Sequence, residues 1–119
     1  MKRISQTLFA TAFHILSVLL HPAQAQTALP EDEMLLAAAR TGNIELFRDM
    51  LRLGASAHAR DAAGNNAVLM AVISDNTLML REVLARHVDL DARGHLGMTA
   101  LGLATVRRHT TAFQRLLAA

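Results

Sequence analysis

Leu35-Leu36-Ala37-Ala38-Ala39-Arg40-Thr41-Gly42-Asn43-Ile44-Glu45-Leu46-Phe47-Arg48-Asp49-Met50-Leu51 sets a pattern that returns twice without a gap. It recurs as Val68-Leu69-Met70-Ala71-Val72 running on to Leu80-Arg81-Glu82-Val83-Leu84. It recurs again as Leu101-Gly102-Leu103-Ala104-Thr105 running on to Phe113-Gln114-Arg115-Leu116-Leu117. Steps of 33 residues align Ala38 with Ala71 and Ala104, Phe47 with Leu80 and Phe113, Met50 with Val83 and Leu116, and Leu51 with Leu84 and Leu117. The connectors keep the same period: Ala59-Arg60-Asp61 aligns with Ala92-Arg93-Gly94, and Gly64 with Gly97. Chemistry kept at so many positions marks an internal repeat. Each unit of such a repeat buries its apolar face only by stacking on its neighbour.

One unit reads as two short helices and a turn. Over 35–40, small alanines stand where a neighbouring backbone needs close approach. Over 44–53, Ile44, Phe47, Met50 and Leu51 recur at steps of three and four, an amphipathic helix. Gly54 follows directly, the residue best able to take the left-handed conformation that ends a helix. Asp61-Ala62-Ala63-Gly64 then carries Asp and Gly at the two ends of a tight turn. Pro30-Glu31-Asp32-Glu33 suits a helix start, and with no turn before it the first unit reads as an N-terminal cap. The last helix runs to Leu116-Leu117-Ala118-Ala119 without the polar outer face of a C-terminal cap. That end is expected to be covered by a partner or a second copy, or to belong to a shortened reading frame.

The pattern resembles the ankyrin repeat family over residues 31–119. Asp61-Ala62-Ala63-Gly64-Asn65-Asn66-Ala67-Val68-Leu69-Met70-Ala71 follows that family's Asp-x-x-Gly-x-Thr-Pro-Leu-His-x-Ala, and Gly97-Met98-Thr99-Ala100-Leu101-Gly102-Leu103-Ala104 is closer to a common variant. Leu51-Arg52-Leu53-Gly54-Ala55 and Leu84-Ala85-Arg86-His87-Val88 match its Leu-x-x-Gly-Ala helix ending. The resemblance implies an all-α ankyrin repeat solenoid of three helix-turn-helix units with hairpin-like connecting loops, at about 31–60, 61–93 and 94–119. The departures are local. Asn66-Ala67 and Thr99-Ala100 stand where Thr-Pro is usual, and Leu69 and Gly102 replace the histidine that ties neighbouring loops. His87 stands at the helix-ending glycine, and Asp75 and Arg108 stand at the glycine between the two helices.

The first 25 residues read as an address. Met1-Lys2-Arg3 is a short positive start, 8–20 is a largely apolar run with His14 near its middle, and Ala23-Gln24-Ala25 offers small residues at the two positions a signal peptidase reads. A secretory signal cut after Ala25 is expected, which leaves 26–119 as the repeat domain in the periplasm or secreted. The alternative is a retained anchor, for which the apolar run is short. The whole chain carries 12 Lys+Arg against 10 Asp+Glu. Removing 25 of its 119 residues leaves 94, with 10 arginines against the same 10 acids. The basic excess therefore belongs to the address, and with it goes the bulk argument for nucleic-acid binding. Four Phe with no Trp or Tyr nearly exclude aromatic platforms for stacking bases. The absence of cysteine excludes disulfides, thiolate zinc sites and a cysteine nucleophile.

No glycine-rich phosphate loop and no Gly-x-Ser-x-Gly elbow is present. His58, His87, His95 and His109 include no metal-binding pair, and His58, His95 and His109 read as exposed turn or helix-start residues. Asp89 and Asp91 could form an acid pair, but they fall in a loop where Asp makes local backbone bonds. Met50, Met70 and Met79 sit at core spacing. Met98 stands at a turn tip with no packing duty in the repeat. Neither enzyme activity nor a cofactor is expected.

Family members grip other proteins through turn tips and the inner face of the first helices. Carried over by position, the partner-binding candidates are Arg60 and Asn65 in one turn, and Arg93, His95, Leu96 and Met98 in the next. Arg40, Ile73, Ser74 and Arg107 are the candidates on the first helices. Arginine with exposed aliphatic residues is an interface-like mixture. The expected function is that of an exported protein-binding module whose partner is another protein. A shielding or immunity-type role toward an enzyme or toxin, or self-association through the C-terminal helix end, is the alternative.

Overall fold

The computed structural model describes residues 29–119; the expected signal segment lies outside them. Among the described residues there are six α-helices and no strand. They are α1 (Pro30–Thr41), α2 (Ile44–Arg52), α3 (Ala67–Ile73), α4 (Thr77–Leu84), α5 (Ala100–Val106) and α6 (Thr110–Ala118), with one 3-10 turn at His95–Gly97. They pack as three pairs, α1 with α2, α3 with α4 and α5 with α6. The first helices form an inner row in which α3 lies between α1 and α5, while α4 packs on α6 in an outer row.

The helix starts are written in the sequence. Pro30 sits in the first turn of α1 with Glu31, Asp32 and Glu33, where a missing N–H does no harm and negative charge meets the positive helix end. The side chains of Asn43, Asn66, Asn76 and Thr99 accept from the backbone N–H three residues on, at 3.0, 3.1, 2.8 and 3.2 Å, and so start α2 to α5. Between the helices of each unit the chain makes one repeated link. The N–H of Asn43, Asn76 and His109 donates to the carbonyl of Ala38, Ala71 and Ala104 at 2.9, 3.0 and 2.9 Å. That link needs a left-handed residue just before it. Gly42 supplies it at φ 76°, and Asp75 and Arg108 adopt it at 52° and 57° despite their side chains.

The repeated alanines are buried, as close approach demands, and between the rows lie Leu35, Phe47, Leu69, Met79, Leu80, Val83 and Leu103. Met50, Met70 and Met79 are core residues. Leu116 is buried and Leu117 exposed. The connecting turns are hairpin-like in their bonds: Asp61 N–H donates to Asn65 O at 2.9 Å and Gly94 N–H to Met98 O at 3.1 Å.

Two expectations need correction. Met98 does have a packing duty, since it is half-buried against the core. His109 is no exposed helix-start residue. Its ring Nδ1 lies 3.0 Å from Val72 O, with Asp75 Oδ1 3.6 Å away, and only 18% of its side chain is exposed. A carbonyl only accepts, so Nδ1 carries the hydrogen and the ring ties α6 to the end of α3.

Candidate interaction surface

The turn between the first two units is held by its own residues. Asp61 accepts from the N–H groups of Ala63 and Asn65 at 2.9 and 2.8 Å, and from Asn65 Nδ2 at 3.2 Å. Asn65 Oδ1 then accepts from the N–H of His95 in the next turn, at 2.7 Å. Asn65 is consequently 6% exposed. It joins two turns instead of facing a partner, which corrects its place among the surface candidates. His95, bound through that N–H, is half-buried rather than exposed.

Gly94 stands where the preceding turn has Asp61, and this bond explains the change. A Cβ on Gly94 would lie 2.2 Å from Asn65 Oδ1 and 3.0 Å from Asn65 Cα. Arg60 adds a second tie, donating from Nε to Gly64 O at 2.8 Å and from Nη2 to Arg93 O at 2.7 Å. Asn66 Nδ2 adds a third, to Asp89 O at 3.0 Å. The loops that lack the family's histidine are thus joined by Arg60, Asn65 and Asn66. Asp89 itself bonds locally, accepting from the N–H of Asp91 at 2.9 Å.

These ties leave one residue standing out. Leu96 holds φ 56° and ψ 24° in the 3-10 turn and is 76% exposed. A branched aliphatic side chain gains nothing from a left-handed backbone, and the conformation costs ~1–2 kcal/mol. Arg93 braces the same turn from its exposed position, donating from Nη1 to Gly97 O at 3.1 Å.

Arg40 matches Ile73 and Ser74 matches Arg107 by the 33-residue step, two adjacent positions at the C-terminal ends of α1, α3 and α5. Ile73 is half-buried and the other three are exposed. Ser74 Oγ donates to Met70 O at 3.1 Å, and Arg107 Nη1 to Ile73 O at 3.4 Å. Arg40 has no ion pair among the described residues. This row is separated from the turn tips by α3, seven residues or about 10 Å of helix. Ala67 to Val72 are buried throughout. The candidates therefore form two strips, one at the tips and one at the helix ends, rather than one continuous floor.

On the outer row stands a charge cluster that the sequence reading missed. Arg48 of α2 grips Glu82 of α4 with both arms, Nε to Oε1 at 3.0 Å and Nη2 to Oε2 at 2.9 Å. Arg86 Nη2 reaches Oε1 at 3.0 Å, and Glu45 lies 3.5 Å from Arg48 Nη1. The Arg48 hydrogen bonds hold the Glu82 carboxyl down to about 2 from its ordinary 4.5; partial burial opposes them and Arg86 assists. The same bonds push Arg48 upward. A shallow open depression beside the cluster is lined by Arg48, Leu51, Arg52 and Arg86. Among the described residues, no three of His, Cys, Asp and Glu gather to hold a metal ion, and no helix is long and apolar enough to cross a membrane.

Helix pairs stacked in one register and tied turn to turn make this a helical-repeat solenoid, which offers other molecules a surface. No curated protein matches the chain in sequence. Residues 34–119 match the family described as ankyrin repeats (3 copies), and the chain belongs to that family. Its members are generally protein–protein interaction modules and are typically non-catalytic.

Proposed function

We propose that this protein is an exported, non-catalytic binding module that holds a partner protein through the strip of turn tips carrying Arg93, His95, Leu96 and Met98. Arg40, Ser74 and Arg107 form a second line of contact. The left-handed, exposed Leu96 carries the reading. Backbone strain that the surrounding bonds impose is a mark of functional positions, and here the strained residue presents an apolar side chain to solvent. Arg93 beside it has donors left for a carboxylate on the partner. Export rests on the sequence of residues 1–25, and places the module in the periplasm or outside the cell.

The test separates binding from stability. Leu96→Gly removes the anchor and relieves the backbone, so the thermal midpoint should rise, by the equivalent of ~0.5–1 kcal/mol. Affinity capture from the exported fraction should meanwhile lose a protein that the unaltered chain retains. Capture of the same proteins by both forms would sink the tip assignment.

A further inference from the structure

The outer row repeats a pairing that succeeds once and fails once. Arg48 and Glu82 lie 34 residues apart on α2 and α4 and form the two-armed pair. One unit further along, the same two positions are Arg81 on α4 and Arg115 on α6. Both are exposed, and neither has an ion pair among the described residues. Residues 1–28 contain no Asp or Glu that could supply one. Glu82 is already taken, since both its oxygens accept from Arg48 and one also from Arg86. Residues 92–119 contain no Asp or Glu. The face spanning α4 and α6 thus carries two exposed arginines at the register where the face spanning α2 and α4 holds a carboxylate between arginines.

Leu78, 58% exposed, lies three residues before Arg81 and so on the same face of α4. Two arginines beside one exposed leucine suit carboxylates on an amphipathic peptide better than they suit a nucleic acid. Arg matches a planar carboxylate with two parallel bonds. Stacking of bases would need aromatic side chains, and the outer helices offer only Phe47, which is buried, and Phe113, which is half-buried.

We propose that the outer face spanning α4 and α6 docks an acidic amphipathic segment of a partner protein, whose carboxylates pair with Arg81 and Arg115 as Glu82 pairs with Arg48. An aliphatic side chain of the segment rests on Leu78. This face is separate from the turn tips.

The probe is a fluorescent synthetic peptide with Glu at i, i+3 and i+4 and one Leu, titrated by anisotropy at physiological ionic strength. Arg115→Glu rebuilds the Arg48–Glu82 arrangement between α4 and α6. It should raise the thermal midpoint and weaken peptide binding about tenfold or more. Leu78→Ser should weaken binding and leave its salt dependence unchanged, because it removes no charge. Leu96→Gly should leave peptide binding as it was. Unchanged binding by Arg115→Glu overturns the proposal, and so does a fall in its midpoint, which would mean the two positions do not face each other. Equally tight binding of a single-stranded oligonucleotide overturns it as well, and a loss with Leu96→Gly would place the peptide at the tips instead.

Discussion

Asp75, His87, Leu96 and Arg108 hold φ between 52° and 57°, in the region where glycine is at ease and other residues are strained. Three of these positions could be read from the repeat, because Asp75 and Arg108 align with Gly42 and His87 aligns with Gly54. Register carries the backbone conformation even where composition does not. Leu96 could not be read that way. It aligns with Ala63, which does not share its conformation, so the strain arises from the local 3-10 turn. Asn65 misled for a related reason. A polar residue in a turn reads as surface, and nothing in its own unit shows that the next turn will deliver the His95 N–H to its side chain. Gly94 tests this account. Gly94→Ala forces a methyl group into Asn65 Oδ1 and the backbone behind it, and should cost ~1–3 kcal/mol, the range for overpacking a filled site. Chemical denaturation would measure it, and a loss below a few tenths would mean that the two turns can part freely. Asn65→Ala combined with Gly94→Ala should cost less than the two singles added, because the overlap with Oδ1 disappears while the close contacts with Leu69 and the Asn65 backbone remain.

The helices are tied to one another by two devices of different visibility. Packing was legible: Phe47, Leu80 and Phe113 recur at 33, and the structure buries the first two and half-buries the third. Leu80→Ala should therefore leave a cavity and cost ~2–5 kcal/mol. The charge tie between α2 and α4 was only half legible. Glu82 and Arg86 stand four apart on one helix, a spacing any reading can flag. The stronger partner, Arg48, lies 34 positions away and is found only when units are laid side by side. The tie makes stability depend on acid. A carboxyl held at about 2 in the folded chain against 4.5 when free favours folding while it is ionised. The contribution is complete above pH 4.5 and falls away as pH drops toward 2. Water reaches the arginine side of the pair, since 42% of the Arg48 side chain is exposed, so the contribution is ~1 kcal/mol. Glu82→Gln should lower the midpoint at neutral pH and narrow the gap from the unaltered protein as the pH falls through that window. A constant gap would assign the stabilisation to packing of the side chain instead of its charge.

The three-unit stack is unequal along its length. Six of the seven residues of α3 are buried, because α1 covers one flank and α5 the other. In α6 only Ala112 and Leu116 are buried, and its first turn has no side-chain cap. The ties between turns follow the same gradient: Arg60, Asn65 and Asn66 all reach from the second unit's turn into the residues before α5. In a repeat array each unit is held by its own stability and its contacts with neighbours, so a unit flanked on both sides opens last. Period and composition made the number of units legible, but this gradient depends on which faces are covered, and that appears only once the helices are placed. Native-state hydrogen exchange reads it directly. The amides of Met70 to Val72 should exchange slowest, at a rate set by opening of the whole stack, while those of Phe113 to Leu116 should exchange faster through local opening of α6. Leu80→Ala should speed exchange in α3 and α6 together, since Leu80 lies in the core they share. His109→Ala should speed exchange in α6 while leaving α3 nearly unchanged, because the imidazole anchors only that helix to Val72 O. Equal protection in α3 and α6 would mean that the three units open as one body and that the ring tie adds nothing.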